Sequence, residues 1–167
     1  DSRYPFCEFA GVGVAYKLCA ALETICFRKK TGKTAGKPLA DSMLDIVALG
    51  TVADIVPLTG ENRVLVSLGL KKMSATENIG LKALLKVAGV KEGQINAEQA
   101  AFALAPRLNA AGRLADAQKG VRLLLSQDEE TALLLAKELD ARNRERQRME
   151  NEILDKAVEM AEKRKGD

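Results

Sequence analysis

The sequence predicts a mainly α fold. Apolar residues recur at three- and four-residue steps through most of the chain. No clear period-two strand and no internal repeat interrupts that pattern. Hydrophobic residues make up 47% of the 167 positions, which suits a packed core and excludes a chain disordered throughout.

The elements follow in order. Val14, Leu18, Ala21, Leu22 and Ile25 place a helix over 10–29. Gly11 and Gly13 stand at its start but make no dinucleotide fingerprint, because Tyr16 occupies the third glycine position. A Gly/Thr/Lys/Pro loop spans 31–38. Its Gly32-Lys33-Thr34 is no phosphate loop, since Phe27 stands where the first glycine belongs. Leu44, Val47, Ala48, Thr51, Val52 and Ile55 give a helix over 42–56 that is apolar nearly all round and therefore buried. Pro57 ends it, because the residue before a proline is pushed out of the α region. Another helix runs from Thr59-Gly60-Glu61-Asn62 to about Met73. A short one over 80–88 stops at Gly89. Asn96 and Gln99 form a capping box for a helix that Ala105-Pro106 breaks near Leu104. The Ala-Ala-Gly stretch within 106–115 reads as a tight turn, followed by a helix over 116–125.

Ser126 and Glu129 are spaced as a capping box for the last helix. It can run from 127 to about 164, about 55 Å long. Its ends carry apolar faces, at Leu133, Leu134 and Leu139 and then at Ile153, Leu154 and Val158. Residues 140–148 have almost none, so the middle reads as polar all round and bridging solvent. Glu138–Arg142 and Asp140–Arg144 are spaced for ion pairs. An apolar seam interrupted for so long argues against a coiled coil.

Composition removes several chemistries. The chain contains no histidine, which excludes Ser–His and Cys–His pairs, a His general base and His metal ligands from these residues. Cys7, Cys19 and Cys26 show no C-x-x-C spacing and read as reduced thiols that partly pack as small hydrophobes. No apolar run approaches the roughly 20 residues that span a bilayer. The polar start, Asp1-Ser2-Arg3-Tyr4-Pro5, reads as cut from a longer protein. Formal charge is +3, yet Arg28, Lys29, Lys30, Lys33 and Lys37 lie together without an acid, leaving a net −2 elsewhere. That loop can meet phosphates, with Lys29, Lys30 and Lys33 as contacts. More often a short Lys run is only a solvated tip.

Two constellations can carry chemistry. Asp54 ends an otherwise apolar helix, where a buried carboxylate is costly unless paired or coordinated. The alternative is a carboxylate facing solvent or capping the helix. Asp45 lies out of phase with it. Arg107, Asn109 and Arg113 flank a compact segment whose guanidinium groups suit bidentate phosphate contact. The alternative is a structural loop whose arginines pair with acids such as Asp116.

These strings resemble a known family. Leu44-Asp45-Ile46-Val47-Ala48-Leu49-Gly50-Thr51-Val52-Ala53-Asp54-Ile55-Val56-Pro57-Leu58 and then Gly60-Glu61-Asn62-Arg63 look like a late motif of the DHH phosphoesterases, and more narrowly of their RecJ-type single-stranded-DNA exonucleases. Pro106-Arg107-Leu108-Asn109-Ala110-Ala111-Gly112-Arg113-Leu114 resembles the next motif. Ala10-Gly11-Val12-Gly13-Val14-Ala15-Tyr16-Lys17-Leu18 matches the helix after the family's paired histidines. Order and spacing agree over nearly the whole chain.

The resemblance implies two Mn²⁺ or Mg²⁺ ions and hydrolysis of single-stranded DNA from a 5′ end. By position it makes Asp54 a metal ligand and Arg113 a phosphate ligand helped by Asn109, with weaker support for Arg107. It implies a cytoplasmic repair and recombination enzyme whose full-length form can meet single-stranded-DNA-binding protein or other repair factors. Residues 1–125 would be the helical portion of the DHH catalytic α/β domain, with the parallel-sheet half upstream. Residues 126–167 would be the connector helix to a second domain. The family's Asp-x-Asp motif, its next Asp and its histidines are absent here, so the chain alone is expected to be inactive. Two readings stay open beside this one. The charged helix and basic loop also fit a non-catalytic scaffold or nucleic-acid-binding module. Within the family, nucleotides or short oligonucleotides are the alternative substrates.

Overall fold

The computed structural model describes residues 4–31, 39–91, 93, 95–112 and 117–165. Every regular element among them is helical. The order is α1 (Gly11–Thr31), a 3₁₀ turn (Leu39–Met43), α2 (Leu44–Ala53), α3 (Gly60–Met73), α4 (Ile79–Ala88), α5 (Ala97–Gln99), a π-helical turn (Ala100–Leu104), α6 (Ala105–Gly112), α7 (Ala117–Leu124) and α8 (Glu129–Lys165). The chain forms two compact units, Asp1–Asn78 with Ala88–Ala105, and Ile79–Val87 with Pro106–Asp167.

In the first unit α2 is the central rod, with Leu44, Val47, Ala48, Leu49 and Val52 buried. Leu44 and Val47 pack with Leu65 of α3, and Phe9, Val12 and Tyr16 close over them. The α2–α3 approach depends on Gly69: a Cβ there would collide with the Leu44 carbonyl and the Ala48 side chain. Gly89 follows α4 with φ +69°, the left-handed conformation in which glycine ends helices without a Cβ penalty. Asn96 and Gln99 make the expected reciprocal capping box.

In the second unit Leu81, Leu84 and Leu85 of α4, Leu123 of α7 and Ala132, Ala136 and Leu139 of α8 are buried. Gly80 lets α4 meet α7, because a Cβ at that position would strike the Leu123 carbonyl.

Several local expectations change. The helix expected to break at Ala105-Pro106 continues instead: the Ala105 N–H bonds the Ala100 carbonyl, an i→i−5 step. That wider turn absorbs a proline, whose ring would otherwise press on the carbonyl four residues back. The segment read as a tight turn is therefore helical through Gly112. Asp128, rather than Ser126, caps α8 by accepting from the Thr131 N–H at 2.7 Å, while the Ser126 hydroxyl donates to the Arg122 carbonyl. The polar middle of α8 does not face solvent on every side, since Asp140 and Asn143 are buried. Farther along, Met149, Ile153, Leu154, Val158 and Met160 are exposed. The same is true of Val14, Leu18, Leu22 and Ile25 on α1. Cys7, Cys19 and Cys26 are free and exposed rather than partly packed. No helix among the described residues is long and apolar enough to cross a membrane.

Candidate functional site

Asp54 is the residue at which α2 stops. Its N–H bonds the Gly50 carbonyl at 3.1 Å, and its side chain faces solvent. The solvent-facing alternative therefore describes it, not the buried one. The helix stops short of the predicted 56 because Ile55 adopts φ +54°, a left-handed conformation that β-branched residues rarely take. Ile55 is also 90% exposed.

The turn after Asp54 is braced by Asn62, a fully buried residue of α3. Its Nδ2 donates to the Pro57 carbonyl at 3.0 Å and to the Glu8 carbonyl at 2.7 Å. The Thr59 hydroxyl adds a 3.2 Å bond to Glu8 Oε2. Sequence reasoning quoted Asn62 only as part of a motif. The signal available was an amide in the first turn of a helix, where polar side chains bond flanking backbone.

The buried carboxylate of this unit is Asp45, 2% exposed. Its Oδ2 accepts from the Thr76 hydroxyl at 2.5 Å and its Oδ1 from the Ile46 N–H at 2.9 Å. Thr76 Oγ1 in turn accepts from the Asn78 N–H at 3.2 Å. Asp45 thus ties the start of α2 to the loop after α3.

Two further ties hold the unit's edge. Glu61 accepts from the Tyr4 hydroxyl at 2.6 Å and pairs with Lys17. Lys17 first and Tyr4 second hold the Glu61 carboxyl below the usual glutamate range. The Tyr16 hydroxyl donates to Asp41 Oδ1 at 2.7 Å. Burial, reinforced by Asp41, pushes the Tyr16 phenol up to about 12.

The second constellation belongs to the other unit. Arg107 and Asn109 stand on α6; Arg113 and Asp116 lie outside the described residues. Asn109 is exposed. Arg107 Nε donates to Asp140 Oδ1 of α8 at 2.8 Å. Asp140 Oδ2 is held by Arg144 Nη2, also at 2.8 Å, which is the pair expected from spacing. Glu138 does not take Arg142 as its hydrogen-bonded partner. Its Oε2 receives Lys119 of α7 at 2.6 Å, and Lys119 holds the Glu138 carboxyl below its ordinary range. Among the described residues, Arg142 Nη1 is buried without a hydrogen-bond partner. Lys29 and Lys30 lie on the last turns of α1, and Lys33 lies outside the described residues.

No group of three or more His, Cys, Asp or Glu among the described residues could hold a metal ion. Asp54 offers one carboxylate, and a two-metal hydrolytic centre needs several ligands. The described residues do not fit a complete centre.

Comparison with known proteins decides the family. The chain is 46% identical over 159 residues to the single-stranded-DNA-specific exonuclease RecJ of Bacillus subtilis (strain 168), covering 95% of this chain and 19% of that protein. Against RecJ of Escherichia coli (strain K12) it is 43% identical, covering 98% of this chain and 29% of the relative. A crystal structure of exonuclease RecJ bound to manganese superposes with TM-score 0.77 at 37% identity, over 92% of this chain and 37% of that one. This chain is a RecJ-type segment. The structure of RecJ from Thermus thermophilus in complex with Mg²⁺ agrees, with TM-score 0.73 at 39% identity over 86% of this chain and 21% of that one. No family model matches the chain. The RecJ-type segment spans less than a third of the length of these two curated relatives. The all-helical architecture of the described residues is that of a helical part of a DHH domain.

Proposed function

We propose that this chain serves within a longer metal-dependent nuclease that hydrolyses single-stranded DNA from the 5′ end, in cytoplasmic repair and recombination. The observation that carries the reading is the superposition on manganese-bound RecJ over 92% of the chain. In this reading Asp54 supplies one ligand to a Mn²⁺ or Mg²⁺ centre completed by residues outside this chain. Its solvent-facing carboxylate on a braced turn supports that role. Asn109, exposed on α6, and Arg113 after it contact substrate phosphate, with Arg107 behind them. Lys29, Lys30 and Lys33 add electrostatic contact to the strand. Residues 1–125 act as the helical portion of the catalytic domain and 126–167 as a connector. The exposed apolar faces of α1 and of the outer half of α8 support both assignments, since each needs a surface to cover it. Single-stranded-DNA-binding protein or other repair factors would act through the full-length enzyme.

The isolated chain tests the incomplete centre. Purified and supplied with Mn²⁺, it is expected to leave a single-stranded oligodeoxynucleotide intact while the full-length enzyme degrades it. Metal-dependent hydrolysis by the isolated chain would overturn the claim.

A further inference from the structure

We propose that Asp140 is a positioning residue for the phosphate-binding segment, acting through the Arg107 guanidinium. The proposal rests on the RecJ-type reading above and names a residue that no sequence motif singled out.

Asp140 lies 33 positions beyond Arg107 and on a different helix. Both side chains are withdrawn from solvent, at 8% and 15% exposed. Both carboxylate oxygens of Asp140 are committed, Oδ1 to Arg107 Nε and Oδ2 to Arg144 Nη2, each at 2.8 Å. The two arginines differ in standing. Arg144 is 73% exposed and one turn away on the same helix, where such a pair contributes little. Arg107 is 15% exposed and its bond to Asp140 runs from α6 to α8, so losing that carboxylate removes a link between the two helices.

Helical geometry turns this link into a positional device. Arg107 and Ala110 share one face of α6 by their three-residue spacing, and Ala110 is 2% exposed. Asn109 projects about 200° around the helix from Arg107 and is exposed. The Arg107–Asp140 link therefore fixes the packed face of α6. Fixing that face sets the rotation at which α6 presents Asn109. A phosphate ligand misplaced by a fraction of an ångström loses charge-assisted hydrogen bonding to its substrate.

The test uses the full-length enzyme, a single-stranded oligodeoxynucleotide and Mn²⁺, and reads KM, kcat and thermal melting separately. Asp140→Asn is expected to raise KM roughly tenfold, the scale of one charged hydrogen bond, with kcat near wild type. Asp140→Glu should recover part of that loss. Arg144→Ala, which removes the exposed partner of the same carboxylate, should leave KM unchanged. A wild-type KM in folded Asp140→Asn, with only melting lowered, would reduce Asp140 to a stabilising residue and overturn the proposal. An equal rise in Arg144→Ala would also overturn it, since the action would not run through Arg107. Should Asp140→Asn fail to fold, Arg107→Lys keeps the charge and loses the Nε geometry. The same KM rise is then expected, and an unchanged KM overturns the proposal. A wild-type full-length enzyme that leaves single-stranded DNA intact would instead defeat the RecJ-type reading itself.

Discussion

The Thr76 hydroxyl donates to the buried Asp45 carboxylate at 2.5 Å across 31 residues of sequence. That bond joins the first turn of α2 to the loop after α3, on the helix that ends at Asp54. Thr76→Val would leave Asp45 Oδ2 buried without its donor and should cost about 2–3 kcal/mol, whereas Thr76→Ser should cost far less. The double variant Asp45→Leu with Thr76→Val should be less destabilised than the two single losses summed, because the stranded group is gone. Denaturant titration of the four proteins checks this, and strict additivity would deny the coupling.

Ile55 is β-branched, 90% exposed and held at φ +54°. Its side chain buries almost nothing in this chain, so the conformation is a net cost. Asparagine tolerates the left-handed region. Ile55→Asn should therefore stabilise the isolated chain by about 1 kcal/mol. Measured destabilisation would mean that the Ile55 side chain makes a stabilising contact here.

Tyr16 gives the fold an alkaline limit. Its phenol titrates at about 12 in the folded chain against 10.0 for the ordinary group, because of burial and then the Asp41 hydrogen bond. The unfolded chain therefore ionises first as pH rises. Tyr16 contributes its full stability below pH 10 and loses it between pH 10 and about 12, where the unfolded state binds fewer protons. Unfolding midpoints followed through that window should fall more steeply for wild type than for Tyr16→Phe. Parallel declines would remove Tyr16 as the cause.

Much of this was legible in the sequence because helices announce themselves locally. The 3.6-residue period, Gly89 and the Asn96–Gln99 box each act within a turn or two, and the structure places each as read. The misreadings share a cause: long-range partners override local signals. Pro106 looked like a break because a π-helical turn cannot be seen in spacing. The 140–148 stretch looked solvent-bound because nothing in it shows that Arg107 would bury Asp140. Asp54 drew attention for its apolar flanks, yet Asp45 is the buried carboxylate. The signal for that was present, since Asp45 and Leu49 are spaced to share one face of a helix apolar nearly all round. The candidate site was legible only as strings of residues, because Asp54 belongs to one unit, Arg107 and Asn109 to the other, and Arg113 lies outside the described residues.

The role proposed for Asp54 is to supply one ligand to the metal centre of a nuclease. The most direct measurement is Mn²⁺-dependent hydrolysis of single-stranded DNA by the full-length enzyme carrying Asp54→Asn, with melting recorded alongside. Asp54 is solvent-facing, so the variant should fold with near wild-type melting. Its hydrolysis should fall by about two orders of magnitude or more, the scale on which removing electrostatic stabilisation of developing charge acts. Wild-type turnover in the folded variant would contradict the account.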